Sequence, residues 1–229
     1  MSIFFHGLSW LIAAIAWTFL SFRFWQNFIK TKSKVAESFF YFSVFLIISM
    51  LCTAVGQLFF IGNLSILQAG LTLNIFLNTL AFAYFGYLIF YIKFPNISPK
   101  IGFLSVFIFG LGAVILNILF PIRPLGETGK LVAFSLHFLT GICYFILIAV
   151  PALILGFLLL KEALSFPPSE ERTKSLGLGI LCILGVLISF LYAIPRPEFI
   201  SIRPFIMIGW AIGVILLAIL TQKPPSPPY

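Results

Sequence analysis

Long apolar runs separated by short polar segments follow one another along most of the chain. A helix that crosses a bilayer needs about 20 mostly apolar residues. Seven runs fit that requirement, and each predicts a transmembrane helix: Ile3–Phe22, Ser38–Ile61, Ile66–Ile92, Ile101–Phe120, Val132–Leu160, Leu176–Ala193 and Ile202–Leu220. The pattern therefore predicts an all-α polytopic membrane protein, with a seven-helix membrane domain over residues 1–222 and a proline-rich tail over residues 223–229.

The composition excludes a soluble globular enzyme. Of the 229 residues, 61% are hydrophobic and only 9% are charged, whereas soluble domains carry roughly 25% charged residues. The formal net charge of +8 comes from cations in the short segments between apolar runs. Such cations indicate membrane orientation rather than nucleic-acid binding, so we expect the lipid bilayer as a partner and no nucleic acid.

The basic residues also predict an orientation. Arg23, Lys30, Lys32 and Lys34 follow the first run, and cytoplasmic loops are enriched in lysine and arginine. If these four residues are cytoplasmic, ten of the 14 basic residues lie inside and four lie outside. We therefore expect the N-terminus outside and the C-terminus in the cytoplasm, in a bacterial inner (plasma) membrane.

Polar side chains interrupt several runs in the half predicted to face outward. Asn78 follows Asn74 by four residues, so the two amides share one face of a helix. Together with Gln57 and Asn117 they suggest a polar ligand pocket in the outer half of the membrane. The alternative is that these amides form hydrogen bonds between helices, which is a common role for them in membranes. Both interpretations stay open.

The chain has two histidines, and each begins a run that starts at the outer face. They open the segments His6-Gly-Leu-Ser-Trp10 and His137-Phe-Leu-Thr-Gly141. This similarity suggests two parallel repeats of three helices with one helix between them. His137 lies seven residues beyond Lys130, which corresponds to a depth of roughly 10 Å if a helix runs between them.

Two imidazoles at one membrane depth suggest a haem site. They could ligate the iron from both sides, with Gly7 and Gly141 leaving room for the macrocycle. Arginines of the outer loops suit the haem propionates, and the candidates are Arg123, Arg196 and Arg203. The alternative is that His6 is an interfacial side chain and that His137 is hydrogen-bonded to a neighbouring amide.

The sequence lacks the residues that several other membrane-protein activities require. No HExxH or GxSxG motif occurs, the last run contains no lysine for a retinal Schiff base, and every glutamate lies in a loop or at the end of a run. These features disfavour a metalloprotease, a serine hydrolase, a retinal pigment and an ion-coupled transporter. We expect no catalytic activity.

Parts of the sequence resemble the integral membrane proteins of cytochrome c assembly that handle haem. Leu71–Tyr84 is similar in cadence to the third helix of that family, and Pro121–His137 resembles its outer loop and the following helix start. The resemblance maps an external haem-ligating histidine onto His137. In the last outer loop, Phe199–Pro204 lacks the tryptophan-rich haem motif of the family, and Arg203 stands in place of its acidic residue.

The resemblance implies a diverged haem-handling protein that binds haem b without catalysis of its own. Two alternatives stay open. One is a non-catalytic accessory subunit or regulator that binds other membrane-protein subunits of a larger complex. The other is a seven-span sensor or transport protein that uses the outer polar pocket. An absorbance spectrum of the purified protein separates the first hypothesis from the other two.

Overall fold

The computed structural model describes residues 3–60, 63–121, 123–125, 133–167, 169–193 and 202–220. These residues form seven helices and a short antiparallel pair of strands. The helices are α1 Ile3–Thr31, α2 Lys34–Phe59, α3 Leu64–Lys93, α4 Pro99–Leu119, α5 Phe138–Ser165, α6 Glu170–Ala193 and α7 Arg203–Leu220, and the strands are β1 Arg123–Leu125 and β2 Ala133–Ser135. All seven helices are long and apolar enough to cross a membrane, which confirms the predicted all-α class.

Several helix ends differ from the predicted ones, and the end of α1 and the start of α5 differ most instructively. Helix α1 continues to Thr31, nine residues past the predicted end at Phe22, because charged residues end an apolar run without ending a helix. Arg23 there donates a hydrogen bond to Gln26 one turn later, at 3.2 Å. Helix α5 begins at Phe138 instead of Val132 because β2 occupies part of the intervening segment. His137 therefore caps the start of α5 and does not lie one or two turns inside a span.

Six of the described helices form a closed ring. Helix α1 packs against α2 and α7, α2 packs against α3, α3 against α5, α5 against α6, and α6 against α7. Helix α4 lies outside this ring, where it packs against α3 and α5. Three helices thus precede α4 and three follow it, the division that the two histidine-led segments suggested.

Glycines bring α4 close to α3. A Cβ atom on Gly102 would meet the carbonyl oxygen of Gly86, and one on Gly110 would meet the side chain of Thr79. Small residues at such positions let the backbones of membrane helices approach closely. The contact positions α4 beside the ring although α4 buries few of its own side chains.

The two ends of the bundle differ in charge. We call the end at which α1, α3, α5 and α7 begin the His6 end. Basic residues gather at the opposite end, in the last turns or first turns of helices: Lys30, Lys32, Lys34, Lys93, Lys100, Lys161, Arg172 and Lys174. This distribution is the one on which the predicted orientation rests, and the orientation itself stays a prediction. The proline-rich tail, 223–229, lies outside the described residues.

The outer surface of the bundle is apolar. Large side chains such as Phe19, Ile108, Phe157 and Leu216 are more than half exposed. Lipid tails require such a surface around a spanning bundle. The surface therefore identifies an integral membrane protein, while the expected partner subunits stay a prediction.

Candidate functional site: a cavity inside the helix ring

A cavity of about 190 Å³ lies inside the six-helix ring. We call it the central cavity. Each helix of the ring contributes side chains to its wall, and the contributors on α3 extend from Leu67 to Phe85. At 1.5 Å per residue this stretch of α3 is about 27 Å long. The central cavity is therefore long in the direction of the helices and narrow across them.

Polar and aromatic side chains surround the His6 end of the central cavity. The Arg203 guanidinium lies over the ring of Tyr192, 5.1 Å from its centroid, and Arg203 Nε donates a hydrogen bond to the Leu191 carbonyl oxygen at 3.0 Å. The ring of Tyr192 also packs against that of Trp10, and their centroids lie 5.2 Å apart. Helices α1, α6 and α7 thus meet around a buried cation.

Several buried polar atoms of the cavity lining have no hydrogen-bond partner among the described residues. They are His6 Nε2, Trp10 Nε1, Trp17 Nε1 and Gln57 Oε1, and all four side chains line the central cavity. His6 and Trp17 are each only 4% exposed. Buried polar groups in proteins are normally hydrogen-bonded, so these atoms mark places where a bound molecule or ordered water would find partners.

A hydrogen-bonded cluster lies at mid-depth on one wall of the central cavity. The Asn74 Nδ2 group reaches Ser49 Oγ at 2.8 Å and Thr53 Oγ1 at 2.7 Å. Asn78 Nδ2 lies 2.9 Å from Tyr144 Oη, and Tyr144 Oη donates to Asn74 Oδ1 at 3.2 Å. The cluster joins α2, α3 and α5. The two amides therefore form hydrogen bonds between helices and also line the cavity, while a role for them in binding a ligand stays a prediction.

Beyond this cluster the wall becomes aromatic. We call Trp17, Phe39, Phe42, Phe82, Phe85 and Trp210 the aromatic floor. Phe42 stacks on Phe85 with centroids 3.9 Å apart, and Trp17 contacts both Phe42 and Trp210, at 5.6 and 5.4 Å. The central cavity is thus polar and cationic toward the His6 end and aromatic toward the opposite end.

The structure separates the residues that the sequence proposed. His6, Arg203, Gln57, Asn74 and Asn78 all line the central cavity. Their common location was not deducible from spacing, because they come from four helices.

The other three candidates lie elsewhere. Asn117 donates from Nδ2 to Thr72 Oγ1 at 2.8 Å and accepts from Gln68 Nε2 at its carbonyl oxygen at 2.7 Å, so it joins α4 to α3. The His137 ring stacks on Phe120, with centroids 4.6 Å apart, and it is not among the residues that line the cavity. Arg123 lies in β1, where its backbone pairs with Ser135.

The arrangement does not fit a haem held between both histidines inside the central cavity. Only His6 lines it. The two glycines expected to leave room for the macrocycle are covered, since a Cβ on Gly7 would lie 2.8 Å from Leu58 Cγ and one on Gly141 would lie 2.9 Å from the Ala193 carbonyl oxygen. These glycines allow α1 to approach α2 and α5 to approach α6.

Sequence reasoning missed the aromatic residues of the site. Trp10, Tyr144 and Tyr192 shape the central cavity, yet tryptophan and tyrosine are ordinary in apolar runs of a membrane protein. The one available signal was that Trp10 follows His6 by four residues, which places both on one face of α1.

Comparison with known proteins does not assign this chain to a family. No family model, curated protein or solved structure matches this chain.

Proposed function

We propose that this protein is a membrane-embedded sensor or carrier that binds a small molecule in the central cavity. The observation that carries the proposal is the group of buried, unpartnered polar atoms on the cavity wall, with His6 Nε2 and Gln57 Oε1 among them. Ligand sites are typically apolar cavities with a few polar groups that fix orientation. The central cavity has this composition.

The energetic argument concerns the membrane environment. An unsatisfied polar group costs several kcal/mol in a region that water does not reach. Helix packing alone would favour apolar side chains at these positions, as it does at most of the interior of the bundle. Retaining a histidine and a glutamine with unpartnered atoms in the cavity lining is therefore easier to explain by binding than by folding.

A cavity-blocking variant tests the proposal. Gly70 lines the central cavity, and a Cβ there would meet nothing within 4 Å. Gly70→Phe therefore adds a ring at the central cavity with little strain. Gly112 on α4 is the matched control, because it also has open space and is exposed outside the ring.

The readout is mass spectrometry of small molecules extracted from the purified protein. We expect one or a few compounds to be enriched with the wild type and with Gly112→Phe and to be lost from Gly70→Phe. Equal profiles for all three proteins would contradict binding in the central cavity.

Haem handling is the second candidate, and His6 is the observation that favours it. A buried imidazole with a free Nε2 facing a cavity could serve as one axial ligand. In protein purified from haem-replete cells, haem ligation by His6 predicts a Soret band that His6→Ala removes or shifts. His137→Ala tests the ligand that the resemblance implies, and Tyr41→Phe, which lies outside the cavity lining, is the control. Wild-type protein without a Soret band would exclude this candidate.

A further inference from the structure

We propose that the ligand of the central cavity is a single-chain amphiphile with an anionic head, bound with its head at Arg203 and its chain along the aromatic floor. This inference rests on the proposed function and specifies the chemical class of the ligand. Its two parts come from the two ends of the cavity, which differ in charge and polarity.

The head is assigned by the groups at the His6 end. Arg203 is 4% exposed and lines the central cavity, and guanidinium groups bind carboxylates and phosphates through paired hydrogen bonds. Trp10 Nε1 adds a neutral donor beside it. These two groups favour an anionic head at this end of the cavity.

The chain is assigned by the shape and chemistry of the remainder. The wall from Trp17 and Trp210 to Phe82 and Phe85 is aromatic, which suits an apolar chain and offers few partners to polar groups. A volume of about 190 Å³ spread along the helices leaves a narrow space. One extended alkyl or isoprenoid chain fits such a space, whereas a two-chain lipid does not.

Tryptophan fluorescence provides a direct assay. Three of the four tryptophans in the chain, Trp10, Trp17 and Trp210, line the central cavity, and Trp25 is 41% exposed on the outer face of α1. Bromine quenches nearby indoles. In the Trp25→Phe protein, reconstituted in phosphatidylcholine nanodiscs, quenching by palmitic acid brominated along its chain reports the cavity alone.

We expect saturable quenching that unlabelled palmitic acid reverses. Brominated palmityl alcohol should bind about tenfold more weakly, because it lacks the charge that Arg203 would bind. Brominated hexadecyl phosphate should bind like the acid if any anionic head suffices and more weakly if the site selects a carboxylate. Shortening the chain to that of lauric and then caprylic acid should weaken binding stepwise, since less of the aromatic floor is covered.

Arginine variants test the position of the head. Arg203→Gln should remove the preference for acid over alcohol by weakening binding of the acid to the level of the alcohol. Arg172→Gln, at the opposite end of the bundle, is the matched control and should keep the preference. If Arg203→Gln does not fold, the comparison of acid with alcohol on the Trp25→Phe protein still tests whether the site prefers an anionic head.

The outcomes separate the two proposals. Equal affinity for acid and alcohol, or affinity that does not change with chain length, overturns the assignment of the ligand class even if Gly70→Phe still blocks a different compound. Quenching that never saturates, together with identical extracts from wild type and Gly70→Phe, overturns the proposed function itself.

Discussion

Each amide of the Asn74–Asn78 pair has two roles. The pair bonds to Ser49 on α2 and to Tyr144 on α5, and the same two side chains line the central cavity. Their shared helix face was deducible from a spacing of four residues. Their partners were not, because Tyr144 lies 66 residues beyond Asn78 in the chain.

Removing one hydroxyl measures what this cluster contributes to stability. Tyr144→Phe deletes an acceptor for Asn78 and a donor to Asn74 without changing the volume of the ring. Side-chain hydrogen bonds in membrane proteins contribute about 0.6 kcal/mol each on average. We expect the free energy of unfolding, measured by titration with a denaturing detergent in mixed micelles, to fall by about 1 kcal/mol.

Tyr41→Phe is the control for that measurement. Tyr41 is 36% exposed and its ring stacks on Tyr84, a contact that phenylalanine preserves. Its free energy of unfolding should stay near that of the wild type. An equal loss in both variants would show that the effect comes from tyrosine replacement in general and not from the cluster.

Hydropathy determines the number and the centres of the helices, but it does not determine their ends. The number and approximate centres of the seven helices followed from apolar runs, because burial of apolar surface in lipid is what selects spanning segments. The ends of α1 and α5 did not follow. Backbone hydrogen bonds continue α1 through Arg23 and Lys30, and a strand pairing between distant residues, Arg123 and Ser135, precedes α5.

The α3–α4 contact yields a prediction at the level of an element. Gly102→Ala places a Cβ against the Gly86 carbonyl oxygen, which neither backbone can avoid without moving apart. Such overpacking typically costs 1–3 kcal/mol. We expect a loss of about 2 kcal/mol in the free energy of unfolding, together with easier proteolysis of the segment after α4.

Gly112→Ala on the same helix is the matched variant. A Cβ there meets nothing within 4 Å, and alanine is a better helix former than glycine by about 1 kcal/mol. Its stability should equal or exceed that of the wild type. A loss comparable with that of Gly102→Ala would mean that α4 does not pack on α3 as described.

The arrangement of the whole molecule was only partly deducible. Spans and charge asymmetry come from local sequence, but closure of a ring by α1 and α7 depends on side chains 200 residues apart, such as Phe5 and Phe205, whose ring centroids lie 5.7 Å apart. The central cavity exists only once that closure is made. Its residues could therefore be grouped only in part from sequence: Gln57, Asn74 and Asn78 were expected in one pocket, whereas the aromatic residues were not joined to them.

Orientation gives a prediction for the whole molecule. In a background with Cys52, Cys143 and Cys182 replaced, a cysteine at Ser169, in the connection between α5 and α6, should be protected from an impermeant thiol reagent in intact cells. A cysteine at Thr128 should react. After permeabilisation both should react, which controls for local burial. The reverse pattern in intact cells would invert the whole orientation.

Helix α4 lies outside the ring and, among the described residues, contributes nothing to the wall of the central cavity. It nevertheless makes the number of crossings in the bundle odd. One extra crossing returns the chain to the side on which α1 began, so α5 sets out in the same direction as α1. Excising α4 and joining its neighbours would leave an even number of crossings, and the second triplet would have to insert upside down. In that inverted arrangement, α5, α6 and α7 would run in the directions opposite to those they have in the ring. Helix α4 is therefore needed for the two triplets to insert in the same direction, although it contributes nothing described to the cavity wall.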